Sequence, residues 1–223
     1  ARRRDKAAAG MMVASAERID LVKIVEDMKL PAEVNASLAP TLDQYENELD
    51  KELINRAKVN DEVNRIRGRV ALWRQGGYAG VTSTTRRLLD YWRDAERENK
   101  LFFCQIEALE TAIFITEVAA KYGDGWIEGY LREQNLQAGS PLPRMAFKMA
   151  TGAGKTVAMA MIIAWHALNK AANAQDARFS DNFLVVAPGI TIRDRLRVLL
   201  PNDSGNYYRE RDLVPVDLMS SLQ

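Results

Sequence analysis

The sequence predicts an α/β chain: a helical region, then a phosphate-loop unit whose helix lies between two strands of a parallel sheet. Three observations predict it. Apolar residues in the first two-thirds recur at steps of three and four, the spacing of one helical face. The loop-like stretch AGSPLP, Ala138 to Pro143, then separates that part from the C-terminal third. Beyond it come the apolar run RMAFKMA, the glycine loop MATGAGKT, the apolar run VAMAMIIAWHAL and a further apolar run, NFLVVAPG. Strand, loop, helix, strand is the βαβ order, with strands buried on both faces.

The helical part divides at its breakers. Ala14 to Leu30 is one expected helix, stopped by Pro31. Pro40-Thr41 opens a longer one, with Thr41 and Gln44 at capping-box spacing. Leu42, Tyr45, Leu49, Leu53, Val59, Val63, Ile66, Val70 and Trp73 form its apolar stripe. Gly68 costs about 1 kcal/mol relative to Ala, which predicts a break near it; Gly76-Gly77 ends the run. Thr82, Ser83 or Thr84 can cap the next helix, which carries Leu88 and Trp92 on one face. In LFFCQIEALETAIFITEVAAKYG the stripe is Ile106, Leu109 and Ile113, and Gly123 is the stop. A shorter helix covers Trp126 to Gln137. After the last apolar run, ITIRDRLRVLL reads as a helix stopped by Pro201, followed by irregular chain.

Composition narrows the classes. The 223 residues are 47% hydrophobic and 27% charged, as in ordinary globular proteins, and the net charge is +1. Nucleic-acid binding must therefore come from a local patch. One cysteine, Cys104, excludes an internal disulfide and a multi-cysteine metal site, and fits the cytoplasm. The longest apolar stretch, Val157 to Trp165, is far below the roughly 20 residues of a membrane span. The opening ARRRDKAAAG lacks the apolar core of a signal peptide and reads as a trimmed or internal start, with a basic nucleic-acid arm as the alternative. Cys104 and His166 do not make a nucleophile–base pair, because no orienting third group accompanies them.

The loop carries the chemistry. Gly152 and Gly154 let the backbone turn so that successive N–H groups face one anion. Lys155 supplies positive charge to the β- and γ-phosphates, and the Thr156 hydroxyl is a Mg²⁺ ligand. The helix after the loop points its positive end at the phosphates. Lys155 and Thr156 are thus the candidate catalytic residues, and ATP with Mg²⁺ the expected cofactor. Met149 stands where the commonest form of this loop has Gly, but it lies at the strand end, outside the turn of Gly152 to Thr156.

With Met149, the loop resembles motif I of superfamily 2 helicases of the DEAD/DEAH group, A/M-x-T-G-x-G-K-T; Thr151, Gly152, Gly154, Lys155 and Thr156 match it, with Ala153 at the variable position. LFFCQIEALET resembles the helix entry upstream of that motif in restriction-type helicases, and FLVVAPGITIRDRLRVLLP resembles motif Ia. Trp73 to Leu213 as a whole resembles the Res subunit of type III restriction enzymes. The resemblance implies that Gln105 reads adenine through its two-sided amide. It implies that Thr191 and Arg193 contact the nucleic-acid backbone, with DNA as the expected partner. It also implies a division into a helical accessory region, 1–100, and the first part of a RecA-like ATP-binding lobe, 101–223.

The hydrolytic parts of that family are not legible here. No apolar strand after Ala187 ends in the acidic pair that would position Mg²⁺ and water. Nor does Asp217 have the acidic-x-Lys partner of a nuclease. The expectation is the N-terminal ATP-binding part of a DNA-dependent translocase of a restriction or defence system, cytoplasmic, inactive as this chain alone, and partnered by a modification or nuclease subunit. The rivals are a P-loop small-molecule kinase or phosphotransferase and a non-catalytic partner-binding module.

Overall fold

In the computed structural model, which describes residues 25, 27–140 and 142–222, every regular element among the described residues is helical. The described residues fall into two units, divided between residues 62 and 63. The expected helix over Ala14 to Leu30 and the basic N-terminal stretch lie almost wholly outside the described residues.

In the first unit, helix α1 (Ala32–Gln75) begins, and it continues into the second. Pro40 lies inside α1, so it does not open a helix. Gln44 donates to Glu48 Oε1 at 3.0 Å, one turn on, where a capping box with Thr41 was expected. Val34, Tyr45 and Ile54 are exposed; the side chains of Leu53 and Val59 lie outside the described part.

The second unit begins within α1, which runs unbroken past Gly68. The propensity cost there is offset by burial nearby: Ile66, Val70 and Trp73 all enter the core. Gly76-Gly77 ends the helix as expected, with Gly77 at φ 76°. Helix α2 (Ser83–Trp92) starts at Thr82, whose hydroxyl accepts from the Thr85 N–H at 3.1 Å and also donates to Asn169. Leu88 and Trp92 are buried.

Helix α3 (Phe103–Ile113) buries the expected stripe of Ile106, Leu109 and Ile113. It continues through a π-helical turn (Phe114–Val118) and a 3₁₀ turn (Ala119–Tyr122) to Gly123, at φ 81°. Helix α4 spans Trp126–Gln137, as the sequence predicts. Buried Glu110 ties three elements together: it receives Arg74 of α1, Arg93 beyond α2 and the Tyr78 hydroxyl. Burial and the Glu110 hydrogen bond push the Tyr78 hydroxyl well above the usual tyrosine range.

Helix α5 (Lys155–Ala172) is the central element, with Ala158, Ala160, Met161, Ala164, Trp165 and Leu168 buried. Beyond it lie α6 (Ile190–Arg195), a 3₁₀ turn (Leu196–Leu199), α7 (Tyr207–Glu210) and a 3₁₀ turn over Val216–Leu222. The tail is therefore more ordered than irregular chain. Tyr208 is fully buried and donates to the Leu199 carbonyl at 2.8 Å.

The parallel sheet, and with it the RecA-like α/β architecture, is not present: among the described residues there is no strand. The runs 144–150 and 182–189 were expected to be the strands on either side of α5. The second has the period-two exposure of extended chain, with Phe183 and Val185 both at 40% against 89% for Leu184 and 83% for Val186. No backbone hydrogen bond joins the two runs among the described residues. A strand needs a lateral partner, whereas a helix satisfies its backbone locally. An apolar run reports the capacity to be a strand, not the presence of that partner.

Candidate nucleotide-binding site

The glycine loop closes on itself before α5 begins. Gly152 and Gly154 sit at φ 80° and φ 74°, a region that an L side chain disfavours. The Ala153 N–H donates to the Ala150 carbonyl at 3.3 Å. Val157 and Ala158 donate back to the Gly154 carbonyl, which starts the helix. The N–H groups of Gly152, Gly154, Lys155 and Thr156 have no acceptor among the described residues. Free N–H groups at a glycine turn and the first turn of an 18-residue helix make a cradle for an anion. The donor set fits a polyphosphate.

Lys155 is exposed, and its ammonium donates to the Ala150 carbonyl at 3.0 Å, across the loop. Thr151 is exposed and Thr156 half-buried. Met149 turns inward with Phe147 and packs against the core. The residue that departs from the commonest loop pattern is thus a core contact.

Gln105 belongs to this cluster. It is the third residue of α3 and is only 4% exposed. Its Oε1 accepts from the Phe102 N–H at 2.9 Å, half of a capping box. Its Nε2 donates to the Ala153 carbonyl at 3.2 Å and stands 3.5 Å from the Gly154 carbonyl. The Cys104 thiol reaches the same Ala153 oxygen at 3.8 Å, a contact for which a lone cysteine gave no sequence signal. Phe102 and Phe103 are exposed beside them.

Thr191 and Arg193 stand apart on α6. Both are exposed, and Arg193 makes a 3.5 Å contact with neighbouring Asp194. No hydrogen bond or ion pair among the described residues links them to the loop. Arg193 and Arg197 line a cavity of about 700 Å³ beneath Phe183, Val185 and Ala187.

The far half of α5 is held differently. Trp165 donates to Thr85 and to Glu117, both at 3.0 Å. Asn169 donates to Thr85 at 2.9 Å. Glu117, 2% exposed in the π-helical turn, also accepts from the Thr85 hydroxyl at 2.6 Å and the Thr82 N–H at 2.8 Å. This network anchors the helix whose other end carries the loop. No cluster of potential metal ligands occurs among the described residues, and no described helix is long and apolar enough to cross a membrane.

No curated protein and no solved structure matches the chain. A family model described as type III restriction enzyme, res subunit, matches residues 98–213, just over half of it.

Proposed function

We propose a function from one premise: the chain belongs to the type III restriction enzyme res subunit family. Membership implies helicase-like, ATP-dependent activity in restriction systems. The finer reading is that this chain supplies the ATP-binding part of a DNA-dependent translocase of a restriction or defence system, in the cytoplasm. Its expected partners are DNA and a modification or nuclease subunit.

The observation that carries this reading is the set of N–H groups at Gly152, Gly154, Lys155 and Thr156 that have no protein acceptor among the described residues, on a loop whose two glycines take positive φ. Thr151 to Thr156 would hold the ATP phosphates. Lys155 would neutralise charge on the transferring phosphate, and Thr156 would ligate Mg²⁺, which supplies further charge neutralisation when bound. Gln105 would read adenine by exchanging its present backbone partners for the base edge. Thr191 and Arg193 would grip backbone phosphates of the nucleic acid. Residues 1–100 would act as an accessory region.

The test is ATP binding with Mg²⁺ by calorimetry, and DNA-stimulated hydrolysis by the complete protein. Lys155→Ala is expected to weaken binding on the order of 100-fold, in line with the loss of a charge-assisted phosphate contact. Turnover indifferent to DNA would favour a small-molecule phosphotransferase. Absence of nucleotide affinity would favour a non-catalytic module.

A further inference from the structure

The Gln105 amide lies against the loop backbone, on the side away from its open N–H groups. A Cβ added at Gly154 would stand 2.1 Å from Gln105 Nε2, so a side chain there would push the Gln105 amide off the loop. Gly154 is favoured by its φ of 74°, and its missing side chain is what lets the Gln105 amide come this close.

A trans peptide points its C=O and its N–H in opposite directions. The Ala153 carbonyl shares its peptide plane with the Gly154 N–H, and the Gly154 carbonyl with the Lys155 N–H. Gln105 Nε2 donates to the first carbonyl at 3.2 Å and lies 3.5 Å from the second. Holding the Ala153 carbonyl toward Gln105 turns the Gly154 N–H the other way, whereas the Gly154 carbonyl, and with it the Lys155 N–H, is already fixed by the Val157 and Ala158 N–H groups at the helix start. A peptide between Ala153 and Gly154 is otherwise free to flip, because glycine tolerates either orientation. Gln105 is itself fixed from behind by the Phe102 N–H at 2.9 Å.

We propose that Gln105 is a positioning residue of the phosphate loop: its amide sets the orientation of the Ala153–Gly154 peptide and so aims the Gly154 N–H at a bound polyphosphate, beside the Lys155 N–H that the helix start holds, whatever base is attached. This rests on reading the loop as a phosphate site and deepens it. It assigns Gln105 a role that base recognition does not require.

Inorganic tripolyphosphate with Mg²⁺ separates the two roles, because it has no base. Calorimetry on the full chain compares wild type, Lys155→Ala, Gln105→Met and Gln105→Glu. Gln105→Met keeps the length and loses the amide; it is expected to weaken tripolyphosphate and ATP alike, by about tenfold, the scale of one buried hydrogen bond and the carbonyl it leaves unmet. Gln105→Glu retains the acceptor for Phe102 and loses the donor. It is expected to show the same weakening at neutral pH, and to regain affinity relative to wild type as pH falls through the carboxyl range near about 4, where the acid O–H can donate to Ala153. This pH signature also stands in if Gln105→Met does not fold. Unchanged tripolyphosphate affinity in both variants, with Lys155→Ala still defective, overturns the positioning role and leaves the phosphate site intact. A wild-type chain that does not bind tripolyphosphate overturns the phosphate reading, and the positioning role with it.

Discussion

The two ends of α5 use their polar groups in opposite ways. At the far end, Trp165 and Asn169 lie in a closed network with Thr82, Thr85 and Glu117. At the near end, the N–H groups of Gly152, Gly154, Lys155 and Thr156 have no protein acceptor among the described residues. A buried donor without a partner costs about 1–3 kcal/mol, so the far end must be closed to be stable. The near end is exposed at Gly152 and Lys155 and half-buried at Gly154 and Thr156, where the first turn of a helix leaves its N–H groups for water or a ligand. One helix thus separates anchorage from recognition, and substitutions at its two ends should separate stability from ligand affinity.

The largest effect is expected at the closed end. Glu117→Ala removes the acceptor for the Thr82 N–H, the Thr85 hydroxyl and the Trp165 N–H. Urea unfolding should show a loss of about 3 kcal/mol. Tripolyphosphate affinity of the molecules that remain folded should be unchanged. A parallel drop in affinity would mean that the two ends are not separable.

Lys155→Ala is the mirror experiment. Its side chain is exposed, so unfolding free energy should stay within about 0.5 kcal/mol of wild type. Its loss of ATP affinity, on the order of 100-fold, corresponds to about 2.7 kcal/mol. Gly154→Ala falls between the two kinds of effect. A β-carbon at positive φ, pressed against Gln105, should cost about 1–2 kcal/mol of stability and also weaken polyphosphate binding. If it lowers stability and leaves polyphosphate affinity unchanged, the packing of Gln105 under the loop does not govern phosphate binding.

The same contrast accounts for which features were legible in the sequence. Helices with local signals were legible: Thr82 as one of three cap candidates, Leu88 with Trp92, Ile106 with Ile113, and Gly123 as stop all depend on neighbours within a few residues. The turn of the glycine loop was legible for the same reason. Gly68 misled because a local cost of about 1 kcal/mol does not break a helix that the burial of Ile66, Val70 and Trp73 sustains, while nothing in the structure explains why the helix runs through Pro40. The sheet misled because an apolar run does not name its partner; Leu184 and Val186 remain exposed. The packing of Gln105 against Ala153 and Gly154 joins residues 48 and 49 apart in sequence, a proximity that no periodicity encodes.

The smallest expected effect concerns a flaw in the closed half. His166 Nδ1 is buried without a hydrogen-bond partner among the described residues, and the ring lies edge-on to Trp165 and Phe179, at centroid distances of 4.5 and 5.8 Å. Burial pushes the imidazole below the usual histidine range, and nearby Glu117 opposes that shift only in part. The folded chain therefore favours neutral His166 more than the unfolded chain does. Between the folded value and the ordinary one near 6.5, the unfolded state binds more protons, so stability rises with pH. The contribution is fully present above about 6.5 and is lost as pH falls below it. His166→Phe keeps an aromatic ring in the cluster and removes the titration. The slope of unfolding free energy between about pH 7.5 and 5.5 should flatten in this variant, while tripolyphosphate affinity at the upper end of that range stays at the wild-type value. An unaltered slope would assign the acid sensitivity to another group. A changed affinity there would show that packing in the closed half reaches the loop through α5, and the separation of its two ends would fail at its weakest point.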